Sequence, residues 1–393
     1  MIGGEGCAMG AATATGGSAG RRNPPRLRPL RVGLLAPQSG PIGLFGPSSV
    51  NCAMLAAAEI NAAGGILGRA VDLVVEDGGG SPADVVARAE AMIAGGVEAL
   101  IGSHVSPSRI ALVKALGGRV PYIYTTLYEG GEYAFGVFVC GETPEMQLEP
   151  LLAWLARHRD ARRWYLVGND YVFPRTSLAL AERYIGAADG RIAGRDFLAL
   201  GTEDFQPCLD RIAASGADAV LIYLVGTDSI LFNRQFAARG LHHGVVRAAP
   251  VLCENALMGI GPAGSSNLFS ATGYANLSAD PAARAFRDRY ADRYGRMAPV
   301  PNRYAVACHD GLHLLSALAA RAGSLDLYRL QLAAEGAGLD GPRGHCTLAG
   351  NHLGAPVHIA AADGPYLRAL ETLGFRAAAP PPAAIWPREL GRG

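Results

Sequence analysis

From Arg31 onward the chain alternates short apolar runs with segments of helical spacing, and this alternation constrains the fold more than any other feature. Arg31 to Ala36 reads as a strand ended by Pro37, and Ser48 to Ala63 as a helix ended by Gly64-Gly65. The pattern repeats with a strand at 71–76, a helix opened by Ser81-Pro82, a strand at 98–102, a helix at 107–116 and a strand at 121–125. A second series follows: helix 145–157, strand 164–167, helix 174–187, strand 195–200, helix 204–215, strand 217–224 and helix 229–239. Strands at 246–252 and 268–272, helices at 282–294 and 303–321, and a β-rich end at 343–370 complete it. Strands separated by helices require parallel sheets covered on both faces, and 393 residues require more than one core, so the expected fold is α/β with two sheets.

Several classes of function are excluded. The 35 Lys+Arg against 34 Asp+Glu leave a formal charge of +1, with no basic excess to neutralise a phosphate backbone. No apolar run reaches the roughly 18 residues of a membrane span. Seven cysteines are scattered with no CxxC pair, which argues against a zinc knuckle or a disulfide framework and for buried thiols in a reducing compartment. There is no GxSxG elbow and no GxxxxGK[ST] loop, and no nucleophile–base pair is assembled, so no catalytic residue and no enzymatic activity are expected.

Three strings imitate chemical motifs. His309-Asp310-Gly311-Leu312-His313 sets two imidazoles at the i, i+4 spacing of a zinc pair, but Asp stands where a metalloprotease has its Glu. It reads as a helix whose histidines cap or line a surface, and neither a metal nor a cofactor is expected. Gly259 to Gly264 matches GxGxxG, but Pro262 interrupts it and no helix is expected after it. Asp77 before Gly78-Gly79-Gly80 reads as a turn.

The first thirty residues are Gly/Ala-rich and then Arg/Pro-rich, which predicts a disordered tail over 1–30; a loose tail is expected over 377–393, with Trp386 as its one packing candidate. The tail lacks the apolar centre of a secretory leader, so the expected location is cytoplasmic, with the periplasm as the alternative.

Open α/β sheets bind ligands at the carboxyl ends of their strands. There the chain carries Ser103-His104-Val105-Ser106, Thr125-Thr126-Leu127-Tyr128-Glu129-Gly130, Asn169-Asp170-Tyr171-Val172-Phe173 and Val225-Gly226-Thr227-Asp228. Hydroxyls and rings in such a cleft suit a small neutral polar molecule.

At these residues the chain resembles the type I periplasmic-binding-protein family. Ala58-Glu59-Ile60-Asn61-Ala62-Ala63-Gly64-Gly65 with Leu67-Gly68-Arg69 resembles a helix-end signature of its branched-chain amino acid and amide branch. Thr202 to Phe205 leading into Ala217 to Val220 is similar to that branch's second lobe. Ser106 with Arg109, Tyr124 to Gly130, and Gly168 to Arg175 are similar to the short-chain amide and urea receptors, among them a cytoplasmic amide sensor that regulates aliphatic amidase expression. The resemblance implies two lobes, 31–143 plus 253–340 and 144–252 plus 341–376, with ligand bound between them. It implies contacts from Ser106, Tyr124 and Thr126 in one lobe and from Tyr171 and Thr227 in the other. His104 and Phe173 fall where the sensor has Tyr, and Leu127 where it has Pro. The implied ligand is a short-chain amide, urea or a related molecule. The implied partner is an RNA-binding antiterminator, with an ABC permease as the alternative; a homo-oligomer is left open.

Overall fold

The computed structural model describes residues 27–378, together with Gly3. Most of the expected N-terminal tail, Cys7 and Trp386 lie outside the described residues. The first layer comprises β1 (Leu30–Ala36), α1 (Gly46–Ala62), β2 (Val71–Asp77), α2 (Pro82–Ala94), β3 (Ala99–Gly102), α3 (Ser106–Leu116), β4 (Tyr122–Tyr124) and β5 (Val137–Val139). The second comprises α4 (Pro144–His158), β6 (Arg163–Asn169), α5 (Val172–Ala187), β7 (Arg191–Leu198), α6 (Gln206–Ser215), β8 (Ala219–Tyr223), α7 (Gly226–Ala238), β9 (Val246–Ala248), α8 (Glu254–Ile260), α9 (Pro262–Ser265) and β10 (Leu268–Thr272). The chain then runs through α10 (Pro281–Tyr294), α11 (Arg303–Ala322) and α12 (Leu327–Ala333) to β11 (Gly338–Gly341), β12 (Gly344–Ala349), β13 (His352–Asp363) and β14 (Tyr366–Arg376).

The parallel strands order as β2-β1-β3-β4-β5 in the first layer and β7-β6-β8-β9-β10 in the second. The long strand β13 joins them: His352 pairs in parallel with Val139 of β5, and residues 358–361 pair antiparallel with β10. The chain also passes between layers at 140–143 and at 273–280. Central strands are apolar and buried on both faces, as in β3 and β8, because helices cover each side. Local sequence sets the helix ends: Ser81 caps α2 through a capping box with Asp84, and Pro82 takes the first turn, where no N–H is needed.

Strand pairing departs from the expected allotment at two places. Leu268–Thr272, allotted to the first lobe, pairs with β9 in the second layer, whereas Gly344–Ala349, allotted to the second lobe, pairs with β11 and with the start of β13. Both depend on where β13 crosses, a long-range pairing with no local signal. The strand expected over 246–252 stops at Ala248 because Pro250 has no N–H to give a ladder. β7 begins at Arg191, four residues early; it is an edge strand whose exposed arginines hide the apolar alternation. β5 is too short to show a period, and it and α12 were not expected.

Two mimics resolve. Gly261 (φ 79°) separates α8 from α9 with no strand before it, so 259–264 has no dinucleotide-binding geometry. Asp77 accepts from the Gln38 and Gly79 N–H groups and from the Ser39 hydroxyl, which makes it a turn anchor. Among the described residues, no helix is long and apolar enough to cross a membrane.

Candidate functional site

In each layer the strand order reverses once, between β1 and β3 and between β6 and β8. Helices leave to opposite faces at such a point and a crevice opens at the strand carboxyl ends. The two crevices face each other. Ile42 and Phe45 follow β1, Ser103, Val105 and Ser106 follow β3, and Thr126 and Leu127 follow β4; Tyr171 and Phe173 follow β6 and Val225 follows β8, with Tyr304 from α11 completing the lining. The cavity they enclose is about 30 Å³, room for roughly two or three water-sized groups.

Three helices begin at this cavity. The residues preceding α3, α5 and α7 are Val105, Tyr171 and Val225, and none of them caps its helix with a side-chain hydrogen bond. Helix dipoles at these starts favour an oxygen acceptor in the cleft, although in α7 the Thr227 N–H is already taken by the Pro41 carbonyl at 3.0 Å. No Asp, Glu, Lys or Arg is among the lining residues.

The nearest charges are tied to one another behind the wall. Arg109 donates to Glu129 at 2.7 Å and pairs with Glu132, while lying 4.8 Å from the Tyr128 ring centroid. The Ser106 hydroxyl donates to Glu129 at 2.6 Å, which leaves its oxygen lone pairs to accept from the cleft.

The expected contact residues divide into three groups. Ser106, Thr126, Tyr171 and Phe173 line the cavity together. Tyr124 and His104 stand one layer behind: the Tyr124 hydroxyl donates to the His104 carbonyl at 2.7 Å, and His104 Nε2 lies 3.0 Å from the Tyr122 hydroxyl. Burial holds the His104 pKa down at about 4, so its ring is neutral at pH 7. Thr227 is exposed; its backbone, not its side chain, reaches across the cleft. Burial, together with Tyr124, Tyr304 and Glu129 nearby, raises the Tyr171 pKa well above the usual phenol value, so Tyr171 presents an O–H. Phe173 packs edge-on to Tyr223 with centroids 5.4 Å apart.

The expected contacts did not include Ile42, Phe45, Ser103, Val105, Val225 and Tyr304. The first five follow strand carboxyl ends: Ser103, Val105 and Val225 lie in the segments that rule singled out, and applying it to β1 as well finds Ile42 and Phe45. Tyr304 has no such signal: it stacks on Phe45 with centroids 4.6 Å apart and donates to the Val251 carbonyl, contacts between distant segments.

Two α/β layers whose helix N-termini converge on one cleft define a small-molecule binding protein. The chain belongs to the periplasmic binding protein family, whose profile matches residues 29–364. It is 37% identical over 73 residues to a Leu/Ile/Val-binding protein of Rhizobium johnstonii, covering 19% of this chain and 20% of that protein. It is 23% identical over 220 residues to a Leu/Ile/Val-binding protein homolog of Brucella melitensis, covering 54% and 59%. The chain thus matches less than two thirds of the length of either curated relative. Among solved structures, a solute binding protein of an ABC transporter from Rhodopseudomonas palustris, in complex with p-hydroxybenzoic acid, superposes with a TM-score of 0.80 at 24% identity, over 88% of this chain and 97% of that one. A branched-chain amino acid transporter substrate binding protein from Streptococcus pneumoniae, in complex with isoleucine, gives a TM-score of 0.77 at 19% identity, over 89% and 99%. At these identities the likeness establishes the fold. Family membership makes the chain a binding protein rather than an enzyme.

Proposed function

We propose that this chain is the solute-binding component of an ABC transporter, located in the periplasm, and that its cleft takes a small uncharged molecule bearing a carbonyl oxygen, a short-chain amide or urea. The observation that carries the ligand class is the cleft lining. The first-turn N–H groups of α3 and α5 and the Tyr171 hydroxyl supply donors for a carbonyl oxygen. Ser106, already donating to Glu129, supplies lone pairs for an amide NH2. With no carboxylate in the lining, an amino acid's ammonium group has no counter-charge.

The transporter role and the periplasmic location draw their support from the relatives, which are transport receptors by name, and displace the cytoplasmic regulator with its RNA-binding antiterminator as the favoured reading. An ABC permease is then the partner. A second ligand reading, a carboxylate such as the benzoate type, is favoured by the helix N-termini, which suit an anion as well as a carbonyl.

Calorimetry on the full chain with acetamide, butyramide, urea, benzoate and isoleucine tests the ligand. Binding of an amide or urea is expected; binding of benzoate or isoleucine with no response to amides overturns the ligand class. Fractionation of the native host tests the role: protein confined to the cytosol overturns the transporter reading.

A further inference from the structure

α1 and α11, whose first turns reach the cleft, pack against each other along one face of the first layer, with α10 beside α1. The i, i+4 spacing on α11 stacks the rings of His309 and His313 with centroids 4.5 Å apart. From α1, about 250 positions earlier, Glu59 is inserted between them: its Oε2 lies 2.8 Å from His309 Nε2 and 3.1 Å from His313 Nε2. The three donor atoms all lie within 4.8 Å of one another.

We propose that Glu59, His309 and His313 form a binding site for a divalent transition-metal ion, zinc above all. Two imidazoles and one carboxylate are a borderline donor set that suits zinc, with the fourth position open to water. In a tetrahedral site of that kind, bonds of about 2.0–2.2 Å set the donors somewhat over 3 Å apart. The two Glu59–imidazole separations therefore need only a few tenths of an ångström of expansion, and the two imidazole donors, within 4.8 Å of each other, close on the ion by side-chain rotation.

Two further observations point to a cation. His309 is bracketed by two carboxylates, with Nδ1 3.2 Å from Asp310 and Nε2 facing Glu59. If Nδ1–H donates to Asp310, Nε2 faces the Glu59 oxygen at 2.8 Å, a position that either a second ring proton or a metal ion fills, so the ion competes with that proton. That carboxylate–histidine relay is the support a metal-bound imidazole characteristically has, and Asp310 is itself held by Arg343 at 2.6 Å. The site also has access: His309 is buried, while His313 and Glu59 keep 29% and 23% of their side chains exposed. Arg289 takes the other oxygen, Oε1, at 2.7 Å and is half exposed, so Oε2 is left for the ion. A bound ion fastens α1 to α11 without touching the cleft, and the proposal is independent of which ligand the cleft takes.

The test uses full-length protein stripped with a chelator and titrated with Zn2+ by calorimetry and with Co2+ by visible absorption. One ion per chain is expected, with the intense absorption of four-coordinate Co2+ and a rise in Tm. His313→Ala and Glu59→Gln each weaken binding by about tenfold or more and remove the Co2+ spectrum. The partly exposed His313 makes its variant the safer one for folding, and it is expected to melt like the metal-free wild type. The adjacent His242 and His243, rings 3.9 Å apart, are the alternative surface site; His242→Ala/His243→Ala is expected to bind as wild type does. Absence of stoichiometric binding, unchanged binding in His313→Ala, or loss in the His242/His243 variant overturns the proposal.

Discussion

Thr227 at the start of α7 donates its backbone N–H to the Pro41 carbonyl beyond β1 at 3.0 Å, a hydrogen bond that spans the cleft. It forms because Gly226 brings the two backbones together. A Cβ on Gly226 would lie 1.9 Å from the Pro41 oxygen, and φ is +57° there. Only a glycine permits both the close approach and the left-handed turn.

Gly226→Ala is therefore expected to hold the layers apart. The left-handed conformation alone costs about 1–2 kcal/mol for a residue with a Cβ, and the collision with Pro41 adds to it. Ligand affinity is expected to fall by roughly 5- to 30-fold or more, and the radius of gyration in solution scattering to rise. Wild-type affinity with an unchanged radius would contradict this closure contact.

Tyr171→Phe keeps the ring and removes one hydroxyl from the cavity wall. A ligand oxygen left without that donor loses about 1–3 kcal/mol, roughly 5- to 150-fold in affinity. Calorimetry with whichever amide or acid binds wild type checks this, and unchanged affinity places the ligand elsewhere. The Tm without ligand is expected to stay within a degree or two.

At the junction of the layers, Arg303 pairs with Glu142, both nearly inaccessible, at 1% and 3% exposure. Glu142 also accepts from the Gly273 N–H at 2.8 Å and from Gln147 at 3.0 Å. Removing one partner strands the other charge in the interior. Arg303→Met is therefore expected to destabilise by about 3–5 kcal/mol, read as a lower urea midpoint. A loss below about 1 kcal/mol would show that the pair is solvated in solution.

Glu254 gives a pH dependence of definite sign. Burial pushes its carboxyl pKa up from 4.5 to about 7, against the Asn276 N–H that accompanies it at 2.9 Å. Between those values the folded state holds one proton more than the unfolded state. Its contribution is therefore fully present below about 4.5 and is lost as pH rises through about 7, a change of about 3 kcal/mol. Glu254→Gln is expected to remove this contribution: the stability difference between variant and wild type, from urea unfolding, should grow in the variant's favour from pH 5 to pH 8. A pH-independent difference refutes the assignment.

The alternation of strand and helix, the proline and glycine stops, and the rule that ligands sit at strand carboxyl ends determined the α/β class and the segments 103–106, 125–130 and 169–173, because each of these signals is local; the family resemblance then singled out Ser106, Thr126, Tyr171 and Phe173 within them. Burial of a whole parallel strand is written in its own apolar run, and a helix start in its own first turn. Tertiary structure alone decided the rest. β13 ties both sheets together through pairings between segments far apart in the chain, His352 with Val139 and Ala361 with Phe269, and so decides the layers to which Leu268–Thr272 and β13's own hairpin partner, Gly344–Ala349, belong. Tyr124 and His104 carry the expected chemistry but direct it behind the wall, the Tyr124 hydroxyl to the His104 backbone carbonyl and the His104 ring to the Tyr122 hydroxyl, since side-chain direction at a strand end depends on what packs behind it. The His309/His313 pair is visible as a spacing, yet the carboxylate that completes it comes from α1. A helix face shows which of its own side chains lie together, but only the crossing of two helices determines what is brought against them.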